Sequence, residues 1–160
     1  MYNSLKYNFL IFLLNILIIL SAPIKLGNST IKKNHNVAKS LTQEQLILSR
    51  IINAEADSND TLDMYLIGST VLNRAYRSSD FPNNIDSVIH QRNQYHGINS
   101  KKYYKNTPLT ATIAVRLLRG QYIDTTVLYF YNFRTATNTK FIRKLKSREL
   151  KYQTKYHKFF

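Results

Sequence analysis

Leu46-Ile47-Leu48-Ser49-Arg50-Ile51-Ile52-Asn53-Ala54-Glu55-Ala56 is the stretch from which the rest of the chain can be ordered. Leu48, Ile51, Ile52 and Glu55 recur at spacings of three and four, which puts them on one face of a helix. Three of them are apolar, and Glu55 stands where another leucine is expected. A carboxylate on an apolar stripe resists ionisation, which moves its pKa toward the range useful for a general acid. The plainer alternative is that Glu55 pairs with a buried arginine such as Arg74. Thr42 followed by Gln45 is a capping-box signature, so the helix is expected over 43 to about 56.

Downstream, Asp57-Ser58-Asn59-Asp60 reads as a turn, with Asp60 or Thr61 capping a second helix. Met64, Ile67, Gly68, Val71, Leu72 and Ala75 form its stripe, and Gly68 implies close approach of another helix. Asn83-Asn84 caps a short turn carrying Ile85, Val88 and Ile89. No period is visible over 90–106, an ordered loop rich in polar and aromatic groups. Thr107-Pro108 opens a further helix with Leu109, Ile113, Ala114, Leu117 and Leu118 inward, and Gly120 ends it. Residues 127–133 read as a strand, and 152–160 as a second one able to pair with it. The basic run Lys140, Arg143, Lys144, Lys146, Arg148 and Lys151 reads as a solvated face.

Upstream, residues 9–20 are an apolar run behind Lys6. Such a core of about 7–15 apolar residues is the layout of a signal peptide, and is shorter than the roughly 20 residues of a spanning helix. Residues 1–22 are therefore expected to be an export signal or a membrane anchor, 23–40 a basic linker, and 41–160 one domain. The domain is expected to work outside the cytoplasm: periplasmic, extracellular or held on the outer membrane face. The 160 residues carry 23 Lys+Arg against 9 Asp+Glu, a net charge of +14 that favours a polyanionic partner. With no cysteine, disulfides, thiol nucleophiles and cysteine-ligated zinc are excluded. His90 and His96 lack a third ligand at suitable spacing, so neither a metal nor another cofactor is expected.

Ala54-Glu55-Ala56, Leu72-Asn73-Arg74, Phe81-Pro82-Asn83-Asn84-Ile85 with Val88-Ile89, Gln94-Tyr95 and Phe130-Tyr131-Asn132 follow one another in order. Together, from about Gln45 onward, they resemble the SleB-type cell wall hydrolases, which include the spore-cortex lytic transglycosylases. Asp57-Ser58-Asn59 stands where that family usually has Arg-Gly-Glu. The resemblance implies an α+β fold: a compact, mostly helical, lysozyme-like domain with a small antiparallel sheet. It also implies cleavage of peptidoglycan between N-acetylmuramic acid and N-acetylglucosamine. In such enzymes one glutamate protonates the glycosidic oxygen and then takes the proton of the muramic acid 6-hydroxyl, leaving a 1,6-anhydro sugar. The usual glycosidase uses two carboxylates.

The chain has three glutamates, and Glu44 in a first helical turn and Glu149 in a basic tail leave Glu55 as the candidate catalytic residue. Candidate substrate-binding residues are Asn73, Gln94, Tyr95, Tyr129, Tyr131 and Asn132. Each also has a structural reading. Asn73 can bond backbone at a helix end, Gln94-Tyr95 can pack a loop, and Tyr129 with Tyr131 can face core instead of cleft. The expected partners are peptidoglycan glycan strands and the anionic wall surface, with membrane anchoring through 9–20 and no nucleic acid. Two other functions remain open: a non-catalytic cationic module binding cell wall or nucleic acid, and an amidase cutting the muramoyl–peptide bond.

Overall fold

The computed structural model describes residues 41–160; the expected signal or anchor at 1–22 and the basic linker at 23–40 lie outside the described residues. Helix α1 (Gln43–Glu55) starts with the expected capping box. Gln45 N donates to Thr42 Oγ1 (3.3 Å) and Thr42 N to Gln45 Oε1 (2.9 Å), so two backbone donors at the helix start find partners. Leu48, Ile51 and Ile52 are fully buried. The backbone turns extended at Ala56, which leaves Glu55 as the last residue of α1.

Helix α2 (Thr61–Arg77) is capped by Asp60, whose Oδ1 accepts from Asp63 N (3.0 Å). Its expected stripe from Met64 to Ala75 is buried, and so are Leu66, Ser69, Thr70, Asn73 and Arg74 on its other sides. α2 is therefore enclosed by the rest of the domain. Short helix α3 (Ile85–Ile89) follows its Asn84 cap. Helix α4 (Pro108–Leu118) opens on a Thr107 capping box with proline in its first turn. Gly120, at φ +88°, supplies the left-handed residue after its end.

Gly68 explains how α1, α2 and α4 approach. A Cβ there would lie 2.9 Å from Ile52 Cδ1 of α1 and would collide with Leu117 Cδ1 of α4. The inward face of α4 holds Ile113, Ala114 and Leu117, with Leu118 half-buried, but the expected Leu109 is 44% exposed. The face is turned toward Thr110, a fully buried hydroxyl that hydrogen-bonds Ser49 of α1 (3.1 Å). Leu109, one position back, is carried outward by that rotation.

The sheet has three antiparallel strands: β1 (Phe130–Asn132), β2 (Tyr152–Gln153) and β3 (His157–Phe159), in the order β1-β3-β2. Phe130 lies opposite Phe159 and Asn132 opposite His157. The strand expected over 127–133 is regular only over Phe130–Asn132, because Leu128 N and Tyr129 N share one acceptor, Phe160 O. The single strand expected over 152–160 is a hairpin. Thr154 makes the bend: its N donates to His157 O (2.9 Å) and its Oγ1 accepts from His157 N (3.1 Å).

The basic run faces solvent as expected, but on a regular helix. Helix α5 (Thr139–Lys146) forms there behind an Asn138 cap. Leu145 is buried, Phe141 and Ile142 are half-buried, and Lys140, Arg143, Lys144 and Lys146 are exposed. The domain is thus α+β, mostly helical with a small antiparallel sheet.

Candidate active site

Where the end of α1 meets the sheet and the loop at 92–96, a cleft of about 810 Å³ opens with Glu55 in its wall. Glu55 is the one carboxylate among the described residues that line it. Its Oε1 accepts from Gly97 N at 2.5 Å, across 42 residues of sequence. Gly97 starts a single 3₁₀ turn (Gly97–Asn99) pressed against the end of α1. A Cβ at Gly97 would lie 2.8 Å from both Ala54 Cβ and Glu55 Oε1, so the close approach requires glycine. Burial pushes the Glu55 carboxyl above the usual carboxylate range. The Gly97 hydrogen bond and the charges of His157 and His96 pull it partway back.

The alternative partner, Arg74, is engaged elsewhere. Its Nε donates to Leu128 O (2.7 Å) and its Nη1 to Gln94 Oε1 and Tyr95 Oη (both 3.2 Å). Its guanidinium also lies over the rings of Phe81 and Tyr95. Glu44 accepts from Tyr76 Oη (2.7 Å), and Glu149 is exposed. Asp124 serves its own turn, accepting from Thr126 N and Oγ1.

Of the candidate substrate residues, Gln94, Tyr131 and Asn132 line the cleft with Glu55. Asn73, Tyr95 and Tyr129 do not. Asn73 is fully buried and donates to the carbonyls of Asp124 (3.1 Å) and Val127 (2.9 Å), tying α2 to the approach of β1. Tyr95 is 3% exposed, its hydroxyl taken by Arg74 and its ring against Phe130. Tyr129 is covered by Arg148 at 4.4 Å and packs beside Phe81. All three serve packing and backbone contacts instead of the cleft lining. Asn132 has a second task, since its carbonyl accepts from Ala136 N (2.9 Å) and its Oδ1 from Arg134 N (3.0 Å), shaping the turn that forms the opposite wall. Among the described residues, no three His, Cys, Asp or Glu side chains gather as a metal site.

The sequence profile described as Cell Wall Hydrolase matches residues 58–160. The chain belongs to the cell wall hydrolase family. This hydrolase is accordingly an enzyme acting on peptidoglycan. Two solved structures share its fold at 19% identity. The catalytic domain of the germination-specific lytic transglycosylase SleB from Bacillus anthracis aligns with a TM-score of 0.62, over 75% of this chain and 96% of that one. The catalytic domain of the Bacillus cereus SleB protein aligns with a TM-score of 0.63, over 80% and 98%. No curated protein sequence matches the hydrolase significantly. Glu55 lies just upstream of the profile match, so its assignment stands on the resemblance of its motif and on the geometry above.

Several cleft residues of the hydrolase escaped sequence reasoning: His157, Phe141 and the segment Thr135-Ala136-Thr137-Asn138. His157 had a signal in its alternation with Phe159, which places both on one face of a strand. Asp63 had none, because an acid in the first turn of a helix is already explained by the helix dipole. Yet Asp63 is 1% exposed, and its carboxylate receives His157 Nδ1 at 3.0 Å on each oxygen, Thr154 Oγ1 (2.7 Å) and Asp57 N (3.1 Å).

Proposed function

We propose that this hydrolase is a lytic transglycosylase that cleaves peptidoglycan between N-acetylmuramic acid and N-acetylglucosamine, with Glu55 as the acid and then the base. The observation that carries the reading is a lone, half-buried carboxyl in the cleft, with its pKa raised by burial. A carboxyl whose burial disfavours ionisation holds its proton more tightly, and can give it to the glycosidic oxygen as the bond to C1 breaks. The carboxylate left behind then takes the proton of the muramic acid 6-hydroxyl, whose oxygen closes on C1. One proton leaves Glu55 and one returns, no water is consumed, and the product is a 1,6-anhydro sugar. No second carboxylate is needed, in contrast with the two-acid glycosidases. The lytic transglycosylase activity of the Bacillus anthracis neighbour agrees with this reading.

Gln94, Tyr131 and Asn132 present amide and phenol groups suited to sugar hydroxyls and acetamido groups. The exposed basic face of α5 holds the enzyme on the anionic wall, in a salt-dependent way. The site of action is outside the cytoplasm, where this substrate is found; the apolar run behind Lys6 supports that placement.

The test is mass spectrometry of purified peptidoglycan digested with the enzyme. Anhydro-muropeptides, about 18 mass units below their hydrated forms by loss of one water, are expected. Reducing-end products would replace the 6-hydroxyl by water as the nucleophile. An absence of new fragments would favour a binding module.

A further inference from the structure

Below Glu55 lies a buried pair that the reaction as written does not use. His157 on β3 and Asp63 on α2 are 94 residues apart in sequence, and their side chains are 5% and 1% exposed. Nδ1 of the imidazole is held by both oxygens of Asp63. The ring is flanked by Phe130, edge-on with centroids 5.5 Å apart, and by Phe159 at 6.1 Å. One nitrogen is thus engaged and the ring is hemmed in by aromatics, yet His157 lines the cleft with Glu55. The edge carrying Nε2 is the one left to face it. A carboxylate buried as deeply as Asp63 requires a compensating positive charge, and the imidazole on its two oxygens is placed to supply it.

We propose that His157 is a positioning residue for Glu55: clamped from behind by Asp63, it turns a positively charged edge to the cleft that steadies the Glu55 carboxylate once its proton has gone to the leaving oxygen. The inference rests on the reading of Glu55 as the acid. Three features of the pair suit the task. The clamp fixes which nitrogen carries the inward proton. Thr154 and the Asp57 amide fill the remaining capacity of Asp63, so the ring has no competing partner on that carboxylate. The charge is built in before the reaction, so little reorganisation accompanies proton transfer. The other charged or titratable groups on the same cleft are Arg74, on α2, Arg92 and His96, on the loop, and Tyr131, on β1. Lys155, next to the strand, is turned to Asp57 (3.9 Å).

The experiment uses the full chain with ¹³C-labelled glutamate and ¹⁵N-labelled histidine. Three glutamates give three carboxyl signals, and Glu55→Gln identifies one by its loss. In the wild type, the ¹⁵N signals of the His157 ring should change as Glu55 loses its proton. In His157→Gln the Glu55 midpoint should rise by about 1 unit. The alkaline limb of the cleavage rate should move up with it, because the acid must be protonated, and the rate at the optimum should fall about tenfold. His157 signals blind to the loss of the Glu55 proton would overturn the inference. So would a folded His157→Gln enzyme with midpoint and rate profile unmoved. Should that variant fail to fold, the wild-type curves decide alone. Equal wall clearing by wild type and Glu55→Gln would remove the general-acid reading and this inference with it, an outcome distinct from failure of the His157 arm.

Discussion

Glu55 and Gly97 work as a unit, since the carboxyl keeps its place through a backbone N–H that only a glycine can bring so close. Glu55→Gln preserves the shape and removes the proton, so wall clearing should be lost while the protein stays folded. Thermal melting decides the second half of that expectation. A carboxyl with a raised folded pKa holds its extra proton in the native state between the unfolded and folded midpoints, and stability falls as pH climbs through that window. At neutral pH the glutamine variant should therefore melt at the same or a higher temperature than wild type. Cleavage by wild type should decline along its alkaline limb as Glu55 loses its proton, which a pH–rate profile would trace. Gly97→Ala should cost activity about tenfold or more with a small change in melting, because its Cβ would meet Ala54 and Glu55 and displace the loop that orients the acid. A variant as active as wild type would mean that the Gly97 contact is incidental.

At the scale of elements, the helices were the legible part of the sequence. Thr42, Asp60, Asn84 and Thr107 announced four starts, and each side chain caps its helix. Gly68 announced the helix crossing, and Gly68→Val should destabilise the fold by about 1–3 kcal/mol through overpacking against Ile52 and Leu117, as denaturant unfolding would measure. The strands were less legible because their limits come from partners. The ladder at Phe130–Asn132 is set by what β3 offers, and the hairpin at Thr154 by a hydroxyl closing its own turn. Asn73 shows the same limit, as its side chain reads equally well as a sugar ligand or a backbone clamp until its two carbonyl partners are in view. Asn73→Ala should cost about 1–3 kcal/mol for leaving them unpaired, with the turnover of the folded fraction little changed. Helix α5 was missed because its apolar underside is only Phe141, Ile142 and Leu145, embedded in a run of lysine and arginine.

For the whole molecule, the charge of +14 was plain in composition, but where it bears on the cleft was not. Asn138 and Phe141 line the cleft, so α5 forms part of its rim while Lys140 and Lys144 point to solvent. Lys140→Glu with Lys144→Glu should weaken co-sedimentation with cell walls and flatten its salt dependence, while cleavage of short soluble glycans stays near wild type. Of the candidate site, Glu55 and three of its companions were readable from motifs, whereas the Asp63–His157 pair was hidden by distance along the chain. Distance along the chain also governs when the surroundings of Glu55 form. Burial raises the Glu55 pKa, and that burial is completed by segments remote in sequence, the turn at Gly97 lying 42 residues away. Contacts so remote form only after long loops have closed. A nascent, partly unfolded or clipped chain therefore bears a glutamate with an ordinary carboxylate pKa, and the raised pKa belongs to the folded enzyme alone.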